Sequence, residues 1–374
     1  MRIAFCSDVH IGNFHKFGGA MEVGLNARCR AVCDALDRAV DRAKRLGCEA
    51  FYVAGDLFDS TKPSPQMIVR VQHALSQMRS YVIVGNHDQQ SYDVGDNACG
   101  PLTASAVRVI DRPALVGYDE HNVDIFAVPF RPGPAEDWIE EDVAEVKGRV
   151  RTGRPASSRR ALVLHLGLYE DDAMPHWAKG SNDCIPLSLL RDLMRRFEID
   201  AVFAGNWHWH KKWSKPRIVQ CGALAPTGFG DLGLAGHGIV VWDTDTLETK
   251  HVEVPGPRFI DVPPPGQPWN LQTYRDAAEA GCRIYARAKV PADKVGNQAG
   301  HFRAADPEGV LFAGFTVLPD TSEAEAAART AATVARSAET LLDALTGFVG
   351  EMPLDEGVER DRVLQRCRLY LNTD

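Results

Sequence analysis

Five short apolar runs in this chain each end in residues that can bind a metal. Residues 3–6 lead to Asp8 and His10, and residues 50–54 lead to Gly55 and Asp56. Residues 81–84 lead to Gly85-Asn86-His87-Asp88, and residues 161–164 lead to His165. Residues 201–204 lead to Gly205-Asn206-Trp207-His208-Trp209-His210. Runs this short and this apolar read as buried strands. In open α/β sheets, ligands gather where the strands end. A lone histidine in such a place is usually a satisfied core or surface residue. Five strand ends offering carboxylate, imidazole and amide oxygen are hard to explain by packing. The expectation is that Asp56 bridges two metal ions and the other loops close around it.

The segments between these runs fit an α/β chain. Residues 27–46 have an apolar face of Ala, Val and Leu against Arg and Asp, which predicts an amphipathic helix with Gly47 as its C-cap. A Pro-rich loop at 60–65 precedes a second helix from 66 to about 78. Strand–helix–strand alternation predicts a parallel sheet. Residues 107–110 and 123–128 have little helix between them and are expected in a second sheet. A polar excursion from 131 to 158 holds a helix near 137–147. It and the next two residues carry Lys147, Arg149, Arg151, Arg154, Arg159 and Arg160. A solvated loop explains these charges; a contact to nucleic-acid phosphates is the functional alternative. Pro186 precedes a helix over 187–197, where a first turn tolerates it. Residues 218–220, 238–242 and 251–254 are expected to form a meander.

Composition sets the remaining bounds. At 374 residues the chain suits two domains. Pro255-Gly256-Pro257 and Pro263-Pro264-Pro265-Gly266 mark the boundary. Domain one is expected over 1–255. Domain two, over 256–374, is expected as a small α+β module with helices over 322–345 and 356–371. A net charge of −8 argues against coating nucleic acid through bulk charge, so DNA contacts must be local. Lys211, Lys212, Lys215 and Arg217, just past the last motif, are the candidates. Nine scattered cysteines without a CxxC pair suit a reducing cytoplasm, and Cys29 and Cys33 read as buried thiols. Met1 runs directly into a strand, so neither a signal peptide nor a membrane span is expected.

The chemistry follows from the donor set. Two divalent ions sharing a carboxylate sit about 3.5–4 Å apart and clamp both oxygens of a phosphoryl displacement. Mixed nitrogen and oxygen donors suit Mn²⁺, Fe²⁺ or Zn²⁺ better than Ca²⁺. The ions lower the pKa of a bound water. His87, directly after Asn86 but pointing elsewhere, can protonate the leaving oxygen.

Taken in order, Asp8-x-His10, Gly55-Asp56-x-x-Asp59, Gly85-Asn86-His87-Asp88, His165 and His208-x-His210 resemble the calcineurin-like metallophosphoesterases. The resemblance covers about the first 255 residues and implies a two-sheet αββα sandwich. Gly55-Asp56-Leu57-Phe58-Asp59 followed by Lys62-Pro63-Ser64-Pro65 looks like the SbcD-type nucleases of double-strand-break repair, which have relatives in phage recombination. The C-terminal module is similar in placement to that family's DNA-capping domain.

The resemblance implies that Asp8, His10, Asp56 and His210 hold one ion. Asp56, Asn86, His165 and His208 would hold the other, with Mn²⁺ foremost, and His87 would be the catalytic acid. It further implies a homodimer and an SbcC-type coiled-coil ATPase partner. One departure stands out: the family's last motif is Gly-His-x-His, and here Asn206 and Trp207 follow Gly205. Aligning on Gly205 makes Asn206 and His208 the ligand pair. Aligning on the histidines keeps both imidazoles and lengthens the loop by two residues. The second alignment is adopted, since loops absorb insertions more readily than a site absorbs a weaker ligand. A phosphoesterase for another substrate, and a DNA-tethering subunit with a weakened metal site, are the competing readings.

Overall fold

The computed structural model describes residues 1–91, 95–150, 152–153, 155, 158–213, 217–234, 236–262, 271–279, 281–290, 300, 302–306 and 311–319. Two six-stranded sheets form the centre. In the first, the spatial order is Thr249–Glu253, Gly238–Asp243, Arg2–Cys6, Ala50–Ala54, Ser80–Ile83 and Val107–Ile110. The last four of these run parallel, and the first two join antiparallel. In the second, the order is Lys211–Trp213, Arg217–Gln220, Ala201–Gly205, Arg159–His165, Val123–Val128 and Ala114–Tyr118. Its four central strands are parallel and both edges antiparallel.

Period-two alternation assigns each strand residue to one of three apolar layers. Ile3, Phe5, Tyr52 and Ile83 face inward and meet Ile125, Val163, Phe203 and Val219 of the other sheet. Phe5 stacks on Phe203 with ring centroids 3.8 Å apart. Ala4, Cys6, Phe51 and Val53 face outward and pack under helices α1 (Ala27–Arg45) and α2 (Pro65–Leu75). Phe126, Leu162, Leu164 and Val202 face the other way, under α3 (Ala135–Gly148) and α4 (Leu187–Phe197). This is the αββα sandwich. Tyr52 and Tyr118 bring hydroxyl groups into the middle layer and satisfy each other at 2.8 Å.

Two expectations need correction. Val107–Ile110 is not in the second sheet but extends the first, parallel to Ser80–Ile83. The 3₁₀ turn Gly100–Ala104 supplies the crossover that a parallel neighbour needs, and short apolar runs give no hint of it. The expected meander is split as well. Arg217–Gln220 joins the second sheet, while Gly238–Asp243 and Thr249–Glu253 close the edge of the first. The intervening Gly-rich run carries the chain from one sheet to the other.

Contacts divide the chain into two compact units, Met1–Ala288 with Gly300–Thr316, and Lys289–Ala299 with Val317–Asp374. In the first unit, Pro257–Asp261 pairs in parallel with the strand beginning at Arg283. The helices expected over 322–345 and 356–371 lie outside the described residues, as does Lys215. No described helix is long and apolar enough to cross a membrane.

Candidate metal centre

The carboxyl ends of both sheets meet at one point, and their loops are zipped together there. Asp8 N–H donates to the Gly55 carbonyl, and the Val9 and His10 N–H groups donate to that of Asp56. This crossing bends the backbone: Asp8, His10 and Asp56 all have φ of 50–52°, a region that L-residues rarely adopt. Three such residues side by side mark a site where surrounding structure overrides local preference. Glycines make the approach feasible. A Cβ on Gly55 would lie 2.0 Å from His165 Nδ1, and one on Gly85 would lie 2.2 Å from Asp56 Oδ1.

Asp56 is the hub. Its Oδ2 lies 3.3 Å from His165 Nε2 and 3.8 Å from His10 Nε2. Its Oδ1 accepts the His87 backbone N–H at 2.9 Å. Three overlapping sets bring potential ligand atoms within 4.8 Å of one another: Asp8, His10 and His208; Asp8, Asp56 and His165; His10, Asp56 and His87. Asn86 joins the second through Oδ1, 2.9 Å from His165 Nε2. Both ring nitrogens of His10 are buried without a hydrogen-bond partner. Orphaned buried imidazole nitrogens are costly unless something binds them. The donors therefore fit a dinuclear centre of carboxylate, imidazole and amide oxygen.

The electrostatics agree. Burial acts to lower the His165 pKa, but the Asp56 carboxylate beside it overrides this and lifts it to about 10. Burial acts to raise Asp56, and His165, His10 and His87 together carry it well below the usual carboxylate range. A cation entering here takes over the role of the His165 proton and must displace it.

His208 and His210 part company. His208 lies with Asp8 and His10, whereas His210 belongs to no such set among the described residues. His210 instead directs Nδ1 at the Cys221 carbonyl, 3.3 Å away, and rests against the His251 ring. The adopted alignment on the histidine pair thus differs from the placement observed. Gly205 is the fixed point: it sits opposite His165 in register, and a Cβ there would be 2.1 Å from the Ala54 carbonyl oxygen. Counted from that anchor, the third residue on reaches Asp8. Asn206 holds Asp8 by its backbone N–H, 3.1 Å from both carboxylate oxygens, while its side-chain amide donates to the Asp183 carbonyl.

Three carboxylates support the centre: Asp59 and Asp88 stand in the sequence motifs without an assigned role, and Asp231 was not named from sequence at all. Asp231 accepts from His208 Nδ1 at 2.9 Å, which leaves Nε2 as the ligand atom. That bond works against burial to hold Asp231 at about 2. Asp231 lies in a Gly-rich run with no local signal. Asp59 places Oδ1 3.5 Å from His10 Nδ1 and offers its carbonyl to His87 Nδ1 at 3.2 Å. Asp88, fully buried, accepts the N–H groups of Leu57, Phe58 and Gly85 and so ties two of the loops together. Burial and the nearby Asp56 charge push it up to about 6. Replacing Asp231 with Asn is expected to weaken metal binding by about 10–100-fold without unfolding the chain. Competition with a chelating dye measures this, and unchanged affinity would remove Asp231 from the centre.

The basic candidates are less free than their charges suggest. Lys211 pairs with Glu170 at 2.9 Å and covers the Trp213 ring, and Lys212 donates to the Thr249 carbonyl. Arg217 is half-buried. Farther off, Lys147 and Arg160 share Glu198, at 2.6 and 2.5 Å.

Comparison with known proteins agrees with this geometry. The family profile "Calcineurin-like phosphoesterase" matches residues 1–211. The chain is similar to the DNA double-strand break repair protein Mre11 of Methanosarcina mazei, 25% identical over 271 residues, covering 70% of this chain and 39% of that protein. The Mre11 of Saccharolobus solfataricus is 22% identical over 176 residues, 45% of this chain and 42% of that one. The chain thus spans about two fifths of the length of these relatives, 39% and 42%. Among solved structures, a dimetal phosphatase from Danio rerio aligns with a TM-score of 0.37 at 12% identity, over 64% of this chain and 91% of that one. The phosphopantetheinyl hydrolase of Mycobacterium tuberculosis aligns at 0.35 and 15%, over 59% and 89%. With that profile spanning more than half of the residues and the ligand set assembled at the strand ends, the chain belongs to the calcineurin-like phosphoesterase family.

Proposed function

We propose that this chain is a two-metal DNA nuclease, the nuclease subunit of an SbcCD-like repair or recombination complex. The observation that carries the reading is the buried Asp56 carboxylate, flanked by His10 on one side and His165 on the other. Asp8, His10, Asp56 and His208 would hold one ion, and Asp56, Asn86 and His165 the other. When bound, the ions supply charge stabilisation at the phosphoryl oxygens and a nucleophile at neutral pH. The chain's own residues do the rest. Asp231 keeps His208 in one tautomer, Asp88 fixes the loops, and His87, exposed at the rim, delivers a proton to the leaving oxygen. DNA as substrate, Mn²⁺ as the metal, an SbcC-type ATPase, a homodimer and a cytoplasmic setting belong to the same proposal. The likeness to the Mre11 proteins supports them.

Full-length protein with Mn²⁺, assayed on linear DNA, closed-circular single-stranded DNA and bis-p-nitrophenyl phosphate, tests the reading. Turnover of DNA supports it. Turnover of the small ester alone points to another phosphoester substrate, and inactivity on all three points to a tethering subunit. The ligand assignment has its own test: His208→Ala is expected to lose an ion, whereas His210→Ala retains both. Elemental analysis giving the opposite pattern would restore His210 as a ligand.

A further inference from the structure

We propose that a pocket beside the metal centre is a second phosphate subsite, which holds a neighbouring phosphate of a substrate whose scissile phosphate lies at the centre. This rests on the nuclease reading and extends it. The pocket encloses about 480 Å³ and is lined by Asn13, Lys16, Arg28, Asp59, Ser60 and Lys62 among others. Asp59 is the shared wall, since it touches both His10 and His87.

Arg28 carries the argument. It is 4% exposed, yet among the described residues it has no carboxylate at ion-pairing distance. Its Nη1 donates to the Lys16 carbonyl at 3.0 Å and its Nη2 to the Thr227 carbonyl, while Nε is buried without a partner. The Phe14 ring, 3.8 Å from Cζ, compensates only in part. A guanidinium keeps its charge, and the Asp59 and Asp231 carboxylates act on it only from beyond ion-pairing distance, so it is buried at a cost, without a direct counter-charge. An anion in the pocket would supply that charge.

Independent features add to the same sign. Lys16 and Lys62 are exposed and, among the described residues, neither ammonium group is ion-paired. The first turns of α1 and α2 contribute Arg28 and Met67 to the lining, and neither first turn has an acidic residue. Both helices therefore direct positive dipole ends there, capped only by the neutral side chains of Asn26 and Ser64. The Asp59 carboxylate opposes this but is drawn toward His10. Within a chain of net charge −8, this concentration of positive groups against the reaction centre is local and specific. In a polynucleotide every scissile phosphate has a neighbour, which is what the adjoining position requires.

The test compares the p-nitrophenyl ester of thymidine 5′-phosphate with and without a 3′-phosphate, using Mn²⁺-loaded full-length protein. The extra phosphate is expected to lower KM about tenfold or more. Changing Lys16 and Lys62 together to Ala is expected to erase most of that difference, and raised salt should do the same. Titration of metal-free full-length protein with inorganic phosphate reads the subsite without catalysis, and the double variant should weaken this binding. No KM difference in the unmodified protein, or a difference that survives the double change, would overturn the subsite. DNA cleavage with equal KM values overturns the subsite alone. No DNA cleavage, with the KM difference intact and lost in the double variant, overturns the nuclease reading and upholds the subsite.

Discussion

Asp56→Ala is expected to leave the chain folded, strip both ions, and lower turnover of any phosphodiester by at least about 10³-fold. The magnitude follows from what the ions contribute. Lewis-acid stabilisation is worth several kcal/mol, and about 4 kcal/mol corresponds to ~10³ in rate. The loss should be joint because one carboxylate faces both histidine groups, His10 at 3.8 Å and His165 at 3.3 Å. The fold should survive because the loop keeps its backbone bonds: the Val9 and His10 N–H groups donate to the Asp56 carbonyl, which alanine retains. Inductively coupled plasma analysis, with circular dichroism as the folding control, reads the result. Two ions still present in the variant would sink the bridging role.

His87→Ala should fail differently. Its ring is exposed at the rim, meets the edge of His10 at 4.8 Å between centroids, and has Nδ1 engaged by the Asp59 carbonyl. With Nδ1 occupied, Nε2 is the atom free to carry a proton toward a substrate. Removing a positioned proton donor costs about 10²–10⁴-fold in rate and should leave metal content at two. Excess Mn²⁺ should not restore DNA cleavage. The deficit should shrink for a p-nitrophenolate leaving group, which needs no proton. His87 also lies within reach of His10 and Asp56 as a potential ligand atom, so the opposite outcome is well defined. Rescue by added metal would make it a ligand.

Much of the centre was legible because it depends on strand ends. A short buried strand announces itself by composition, and the residue after it lands at a sheet edge whatever the neighbouring strands are. This is why Asp8, His10, Asp56, Asn86 and His165 could be named together. What the spacing did not convey was which backbone point is immobile. Gly205 follows a strand that is readable, but nothing in the sequence shows that it is wedged against Ala54 and paired with His165. A wedged glycine cannot slide to accommodate an insertion, so the count runs from Gly205 and reaches His208. Asp231 was illegible for another reason. Its partnership with His208 depends on tertiary placement of a Gly-rich run with no periodicity. Lys211, past the motif, illustrates the converse: its charge is readable from sequence, but its neutralisation by Glu170 is not.

The proposed ligands come from both halves of the sandwich. Asp8, His10, Asp56 and Asn86 follow strands of one sheet, and His165 and His208 follow strands of the other. Any cation held jointly by the two groups is therefore a rivet through the molecule as well as a reagent. By mass action, a ligand at a hundredfold excess over its Kd stabilises the folded state by about 2.7 kcal/mol. Here that energy would resist one particular motion, the parting of the sheets along the Phe5–Phe203 layer. Metal supply in the cell would then set how long the protein lasts as well as how fast it works.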